Sequence, residues 1–201
     1  MQMVTIVRAG LVVGISVLAL LLAALGTVLC LDRPNKEAYK LALEFLKKDN
    51  SLIKNKQYIA VVDYTKPSFV RRLCIYDTEN NTVTKHLVSH AKKSGYAYAT
   101  NFSNEISSEK SSKGFFLTGA VYQGKHGRCL RLHGLENGIN DNAFDRDIVI
   151  HGAGYVSWKS ILANAGRLGR SLGCPAVSMK IIDEVINKLQ GGSLVYIHTE
   201  K

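Results

Sequence analysis

Arg170-Ser171-Leu172-Gly173-Cys174-Pro175 sets a cysteine directly after a glycine and before a proline. Those flanks suit a turn. Cys74 and Cys129 differ: in Leu73-Cys74-Ile75 and Arg128-Cys129-Leu130 they read as small buried hydrophobes within strand-like runs. Upstream of the turn, His151 closes the apolar run Ile148-Val149-Ile150. A free thiol has a pKa of about 8.5, so it needs a nearby base to act as a nucleophile at neutral pH. A histidine ending one strand and a cysteine on a later glycine turn supply such a pair. The Gly173 and Cys174 amides would then face the oxyanion formed on attack, while Pro175 has no N–H to offer. A thiolate poised by His151 predicts alkylation of Cys174 at low pH. On these two residues alone, a structural histidine and a buried turn cysteine is the simpler reading.

The chain of 201 residues is long enough for one domain with a real core. Residues 9 to 31 carry no charge, and a bilayer-crossing helix needs about 20 such residues. The stretch reads as a signal peptide or a membrane anchor over 1–31. Arg8 lies on one flank and Arg33, Lys36 and Lys40 on the other, so orientation stays open. An exported domain is the consequence. Of the four cysteines, Cys30 falls in the apolar stretch, and the remaining three cannot all pair internally. The net charge of +10 admits nucleic acid, a membrane surface or an anionic polymer outside the cytoplasm. Export and the lack of a recognition motif speak against nucleic acid. The histidines lack metal-ligand spacing on one element, and no cysteine pair has zinc-site spacing, so neither a metal nor a cofactor is expected.

Residues 36–56 read as a linker helix, with Ala38, Leu41, Ala42, Phe45 and Leu46 on one face, inside a linker spanning 32–57. From Tyr58 the period shortens to that of strands. Tyr58–Tyr64, Val70–Tyr76, Val83–Val88, Phe115–Tyr122, Arg128–Leu132, Asp147–His151 and Ser193–His198 read as strands. Residues 92–113 read as a long loop. Ser178 is placed to cap a helix that buries Ile182, Val185, Ile186 and Leu189 and stops at Gly191-Gly192. Tyr122 is expected in the core; His90 and His133 are expected to be structural or solvated. The domain over 58–201 is mostly β with flanking helices, as a β-sandwich or an open barrel-like structure.

Several further segments change the weight of Cys174 and His151. They are Val62-Asp63-Tyr64, Pro67-Ser68, Phe102-Ser103-Asn104, Ser111-Ser112-Lys113-Gly114-Phe115, Tyr122-Gln123-Gly124-Lys125-His126-Gly127, Leu132-His133-Gly134-Leu135, Ile148-Val149-Ile150-His151-Gly152-Ala153 and Gly169-Arg170-Ser171-Leu172-Gly173-Cys174-Pro175-Ala176. In this order they resemble the L,D-transpeptidases of bacterial cell-wall synthesis, and most closely the murein L,D-transpeptidase catalytic domain branch. The resemblance covers roughly residues 58–178. Ala176 and Leu172 depart from the pattern of many members, which carry arginine or asparagine, and histidine or arginine, at those places.

The resemblance implies catalytic Cys174 and His151, with backbone groups of Gly173 and Cys174 as the oxyanion site. It implies peptidoglycan stem peptides as substrate, and a place in the bacterial envelope, anchored in the inner membrane facing the periplasm or secreted. Arg170, Ser171, Gly152 and Tyr155 are the candidates for holding the stem. A backbone carbonyl is expected to orient His151, since no adjacent carboxylate is evident. L,D-carboxypeptidase or cysteine endopeptidase activity, and a non-catalytic wall-binding module, are the alternatives.

Overall fold

The computed structural model describes residues 2–48, 51–125 and 127–200. His126 of the quoted hairpin segment, and residues 49–50 inside the expected 36–56 helix, lie outside the described residues, as do Met1 and Lys201. The chain divides into two units, 1–33 and 34–201.

The first unit is the helix α1, Gln2–Leu31. At about 1.5 Å per residue it is about 45 Å long. Its described side chains from Ser16 to Leu29 stand exposed, Leu20 at 70% among them. By length and composition it can cross a membrane, a test that a signal sequence near an N-terminus also passes.

The second unit is built on one eight-stranded sheet. In chain order the strands are β1 Asn55–Asp63, β2 Leu73–Asp77, β3 Thr82–His86, β4 Gly114–Gly124, β5 Gly127–Gly134, β6 Val149–Ala153, β7 Ala176–Ser178 and β8 Ser193–His198. Their spatial order is β3-β2-β1-β8-β4-β5-β6-β7. The β1–β8 and β6–β7 pairs are parallel and the rest antiparallel. The two edges of the sheet almost meet. Just past β3, Ser89 bridges Ala176 of β7, and its N–H donates to the Ala176 carbonyl at 2.8 Å. The result is a nearly closed, barrel-like sheet.

The alternation of side chains explains the two packed layers. Ala60, Val62, Leu130, Leu132, Ile150, Val177, Val195 and Ile197 point inward, where they meet Ile182, Val185, Ile186 and Leu189 of α4 (Ile182–Leu189). Ile59, Val61, Leu194 and Tyr196 point outward under α2 (Lys36–Lys48). Because β1 and β8 are covered on both faces, they read as unbroken apolar runs. The turn between β2 and β3 is made by Asp77, whose carboxylate accepts from the Glu79 and Asn80 N–H groups, and by Asn81 at φ +52°.

The helix α2 belongs to the domain rather than to a linker. Asn35 accepts the Ala38 N–H at 3.0 Å, the Asx cap of a helix start. Ala38 and Ala42 are fully buried, and Phe45 stacks on Phe115 at 4.1 Å, which stacks on Tyr196 at 4.3 Å. Burying aromatics of this size stabilises by about 1.5–3 kcal/mol each, more than a tether needs. The apolar face is where periodicity put it, but α2 ends at Lys48 and β1 already begins at Asn55. At the other end of the domain, Ser178 does not cap α4: it closes β7, and Ile181 precedes the first helical turn.

Candidate active site

The position of His151 follows from the strand before it. Ile148 and Ile150 fill the core, so alternation turns His151 to the outer face of β6. In register it stands beside Cys129 on β5 and Ala176 on β7, and register partners share a face. Cys174 lies two residues before Ala176, the register partner of His151, on the bend that enters β7. His151 is buried, and its Nδ1 lies 3.0 Å from the Gly152 carbonyl oxygen. A carbonyl only accepts, so Nδ1 carries the proton and Nε2 is the basic nitrogen. Gly152 packs closely: a Cβ there would sit 2.8 Å from Met179 Sδ and 3.2 Å from Ile182 Cγ2, so those side chains would have to shift.

Three neighbours shape the turn that carries Cys174. The Ser171 hydroxyl donates to the Cys174 carbonyl at 2.6 Å and accepts the Gly173 N–H at 3.2 Å. Gly173 has φ +155°, and a Cβ there would meet Ile148 Cδ1 at 3.0 Å. The Ser171 N–H bonds the His90 carbonyl, and the Lys92 N–H bonds the Ser171 carbonyl at 2.9 Å. Ser171 thus ties the turn together rather than projecting to a ligand. Arg170 behaves alike: its Nη1 donates to the Gly95 carbonyl at 2.9 Å and to the Lys92 carbonyl at 3.2 Å. Tyr155 is half-buried and packs over Gly169, beside Ala153, Val156 and Leu168.

Beneath the 90–95 loop lies a buried cation. Arg72 is fully buried, donates to the Val88 and Lys66 carbonyls, and sits 4.7 Å from the Tyr64 ring centroid. Its Nη2 lies 2.8 Å from His90 Nδ1, and His90 Nε2 lies 3.3 Å from the Gly95 carbonyl. Nδ1 of His90 therefore accepts and Nε2 donates. Burial, then the Arg72 charge, push the His90 pKa down to about 3. His90 is structural, as expected, and so is His133, which stacks on Phe144 at 5.3 Å.

The Cys174 thiol donates to the Asp147 carbonyl oxygen at 3.4 Å. Solvent reaches it, but dense surroundings push its pKa up; a hydrogen bond from the Val149 backbone and the Arg146 charge pull the other way and are outweighed. The balance favours the neutral thiol. Asp147 adopts φ +53°, and its carboxylate pairs with Arg131 Nη1 at 2.7 Å. The Arg131 guanidinium lies 4.9 Å from the Tyr122 ring centroid and 5.1 Å from that of Phe144. Tyr122 is consequently on the outer face and exposed, not in the core, because a register shift between Thr118 and Val121 reverses the phase of β4.

Beside the thiol opens a cleft of about 320 Å³, lined by residues that include Ile106, Glu109, Asp145, Arg146 and the 60% exposed Leu172. Arg146 donates to Ser112 Oγ at 2.6 Å, to the Lys110 carbonyl at 2.6 Å and to Ser108 Oγ at 3.1 Å, so it braces the 103–112 loop against the turn. Arg131, Asp147 and Arg146 were not among the residues singled out from sequence. Arg131 shares the outward phase of Cys129, a signal that was available. Nothing in the sequence marks Asp147, a non-glycine, for a left-handed backbone. Among the described residues, no cluster of His, Cys, Asp or Glu is arranged to hold a metal ion.

The fold is a nearly closed, mostly β sheet with flanking helices. The chain belongs to the L,D-transpeptidase catalytic domain family, whose sequence profile matches residues 32–198. The match takes in α2, in keeping with its packing on the sheet. No curated protein matches the chain. Among solved structures it is similar to an L,D-transpeptidase from Mycobacterium smegmatis, at 13% identity over 71% of this chain and 59% of that one, with a TM-score of 0.43. It is similar too to the helical cell shape determining protein Pgp2 from Campylobacter jejuni, at 14% identity over 81% of this chain and 55% of that one, with a TM-score of 0.47. The chain thus spans somewhat over half the length of these proteins.

Proposed function

We propose that the protein is a peptidoglycan L,D-transpeptidase with Cys174 as nucleophile and His151 as general base and acid. The observation that carries this is the register of His151 with Ala176, two residues along the chain from Cys174, with His151 Nδ1 held by the Gly152 carbonyl. Family membership supports the reaction class.

Cys174 is a thiol at rest, so proton transfer accompanies attack instead of preceding it. His151 Nε2 takes the S–H proton as sulfur bonds to the carbonyl carbon between the third residue of a stem tetrapeptide and its terminal D-alanine. The Gly173 N–H is already engaged by Ser171 Oγ, which leaves the Cys174 N–H as the better placed donor to the oxyanion. The tetrahedral intermediate collapses, the C–N bond breaks, and the imidazolium protonates the departing D-alanine amine. A thioester remains on Cys174. An amine of a second stem attacks it, His151 takes that amine's proton, and the thiol is restored with a new amide cross-link. With water as acceptor the product is a free acid and the activity is a carboxypeptidase. The roles of Arg170, Ser171 and Gly152 in this reading are to shape the site, since each is engaged by packing or by the protein's own backbone. The apolar α1 supports export to the envelope, as an anchor or a signal.

The test is incubation of the full chain in detergent micelles with a disaccharide-tetrapeptide, read by mass spectrometry beside Cys174→Ala. Loss of D-alanine together with a cross-linked dimer, both absent in the variant, is the expected result. Loss without dimer indicates carboxypeptidase activity, and cleavage elsewhere indicates an endopeptidase. No reaction from folded protein leaves a wall-binding module.

A further inference from the structure

A groove of about 500 Å³ lies on the domain between β3 and α3 (Trp158–Ala163). Arg71, Lys85, Lys159 and Lys180 line it, and no Asp or Glu is among its described lining residues. Glu184 is the carboxylate that faces His86 from α4, and it is paired with Lys188 at 2.7 Å. Burial pushes the His86 pKa down, so the positive charge belongs to the lysines and the arginine. One wall is Trp158, which is 59% exposed. A large indole held in water beside a cationic rim presents a flat apolar surface and counter-charges together. That combination matches a polymer whose sugar rings stack on the indole and whose carboxylates meet the lysines.

The groove approaches the candidate site along the sheet. Ser178 lines it, ends β7, and pairs in register with Ala153, two residues beyond His151 on β6. At about 3.3 Å per residue, the near edge of the groove is about 7 Å along the strand from His151. One substrate chain can occupy both. The cleft lined by Asp147 and Leu172 is of mixed charge, with Glu109, Asp145 and Asp147 beside Arg146. We propose that the Trp158 groove is a second hold on peptidoglycan, binding the sugar rings and free stem carboxylates of a polymeric strand while its reacting stem lies at Cys174. This rests on the peptidoglycan reading above for its choice of polymer. A sugar–phosphate polymer has similar charge and is separated from it by the experiment.

The full chain in micelles is sedimented with insoluble peptidoglycan stripped of phosphate-bearing polymers, at low and high salt. Wild type, Trp158→Ala and the double variant Lys159→Ser with Lys180→Ser are compared, and D-alanine release from a soluble disaccharide-tetrapeptide is measured on each. The substituted side chains are exposed, so folding is kept. The expected result is binding of wild type that weakens with salt, a loss of about tenfold in either variant, and unchanged release from the soluble substrate. Equal binding by all three proteins overturns the inference. So does binding to a purified glycerol-phosphate polymer with none to stripped peptidoglycan. Loss of soluble-substrate release in the variants also overturns it, because the groove would then be part of the reacting site. Groove-dependent binding with no D-alanine release from any form sustains the inference while the transpeptidase reading fails.

Discussion

Asp147 joins two contacts through different groups: its carboxylate holds Arg131 at 2.7 Å, and its own carbonyl oxygen takes the Cys174 thiol at 3.4 Å. The carboxylate is 82% exposed, so the ion pair itself adds little stability, about 0–1 kcal/mol. What the pair does is fix direction. Arg131, near the rings of Tyr122 and Phe144, tethers the Asp147 side chain, while the left-handed Asp147 backbone presents its carbonyl to sulfur.

Arg131→Ala therefore lowers kcat for D-alanine release by about 10–100-fold with little change in KM, since a small misplacement of a reacting group has effects of that size. Arg131→Lys restores part of the rate. Asp147→Gly keeps the backbone freedom and removes the carboxylate, so it falls between wild type and Asp147→Ala. Equal rates in all four variants would dismiss Arg131 and Asp147 as positioning residues.

The pH dependence of Cys174 has a fixed sign. Its pKa is raised in the folded protein. The native state favours the neutral thiol, and that contribution is full below the unfolded thiol pKa of about 8.5 and fades as pH rises through the folded value. Denaturant midpoints of wild type and Cys174→Ala thus diverge above about pH 8.5, with wild type losing more. Iodoacetamide modification of wild type climbs with pH through the same range. A plateau reached below pH 7 would show a preformed thiolate and count against coupled proton transfer.

His90 gives the opposite window. Its pKa is depressed to about 3, so the neutral ring stabilises the fold above the unfolded value of about 6.5 and this is lost as pH falls toward 3. Urea unfolding between pH 7 and pH 4 should show wild type weakening more steeply than His90→Gln. Parallel curves would mean that another group governs acid sensitivity. Arg72→Met removes the cation that His90 accepts from, and its destabilisation is about 1–3 kcal/mol for each vacated carbonyl left unpaired.

Gly173→Ala tests the turn. A side chain at φ +155°, 3.0 Å from Ile148 Cδ1, costs about 1–3 kcal/mol and displaces the thiol. The expected outcome is a folded protein with a lower melting temperature and D-alanine release reduced at least tenfold, the rate deficit exceeding what unfolding explains. Wild-type rates in this variant would show that the turn tolerates a shift.

The strands that bury one or both faces were legible because alternation and apolar runs are local signals. The run Ile148-Val149-Ile150 fixes which way His151 points without any knowledge of its neighbours. The three residues of β7 were not legible: Ala176-Val177-Ser178 is too short for a period, and it becomes a strand only by pairing with β6 and touching Ser89. The same limit hid Arg146, whose role comes from a loop some forty residues earlier in the chain. Arg170 and Ser171 stand out as ligand contacts because they flank the cysteine; in the fold the Ser171 hydroxyl and Arg170 Nη1 bond nearby backbone. Tyr122 was misread because a bulge changes strand phase without a composition signal.

The seam of the sheet has a consequence for observing this protein. The strand leading from the nucleophile is held on one side by β6 and on the other by the Ser89 amide. Its carbonyl partner, on Ala176, is two residues from the sulfur. Isotope exchange at the Ser89 nitrogen is thus a built-in gauge of occupancy at Cys174: an acyl group or inhibitor that tightens the strand slows it, and one that pries the strand loose speeds it, with no label on the reacting residues themselves.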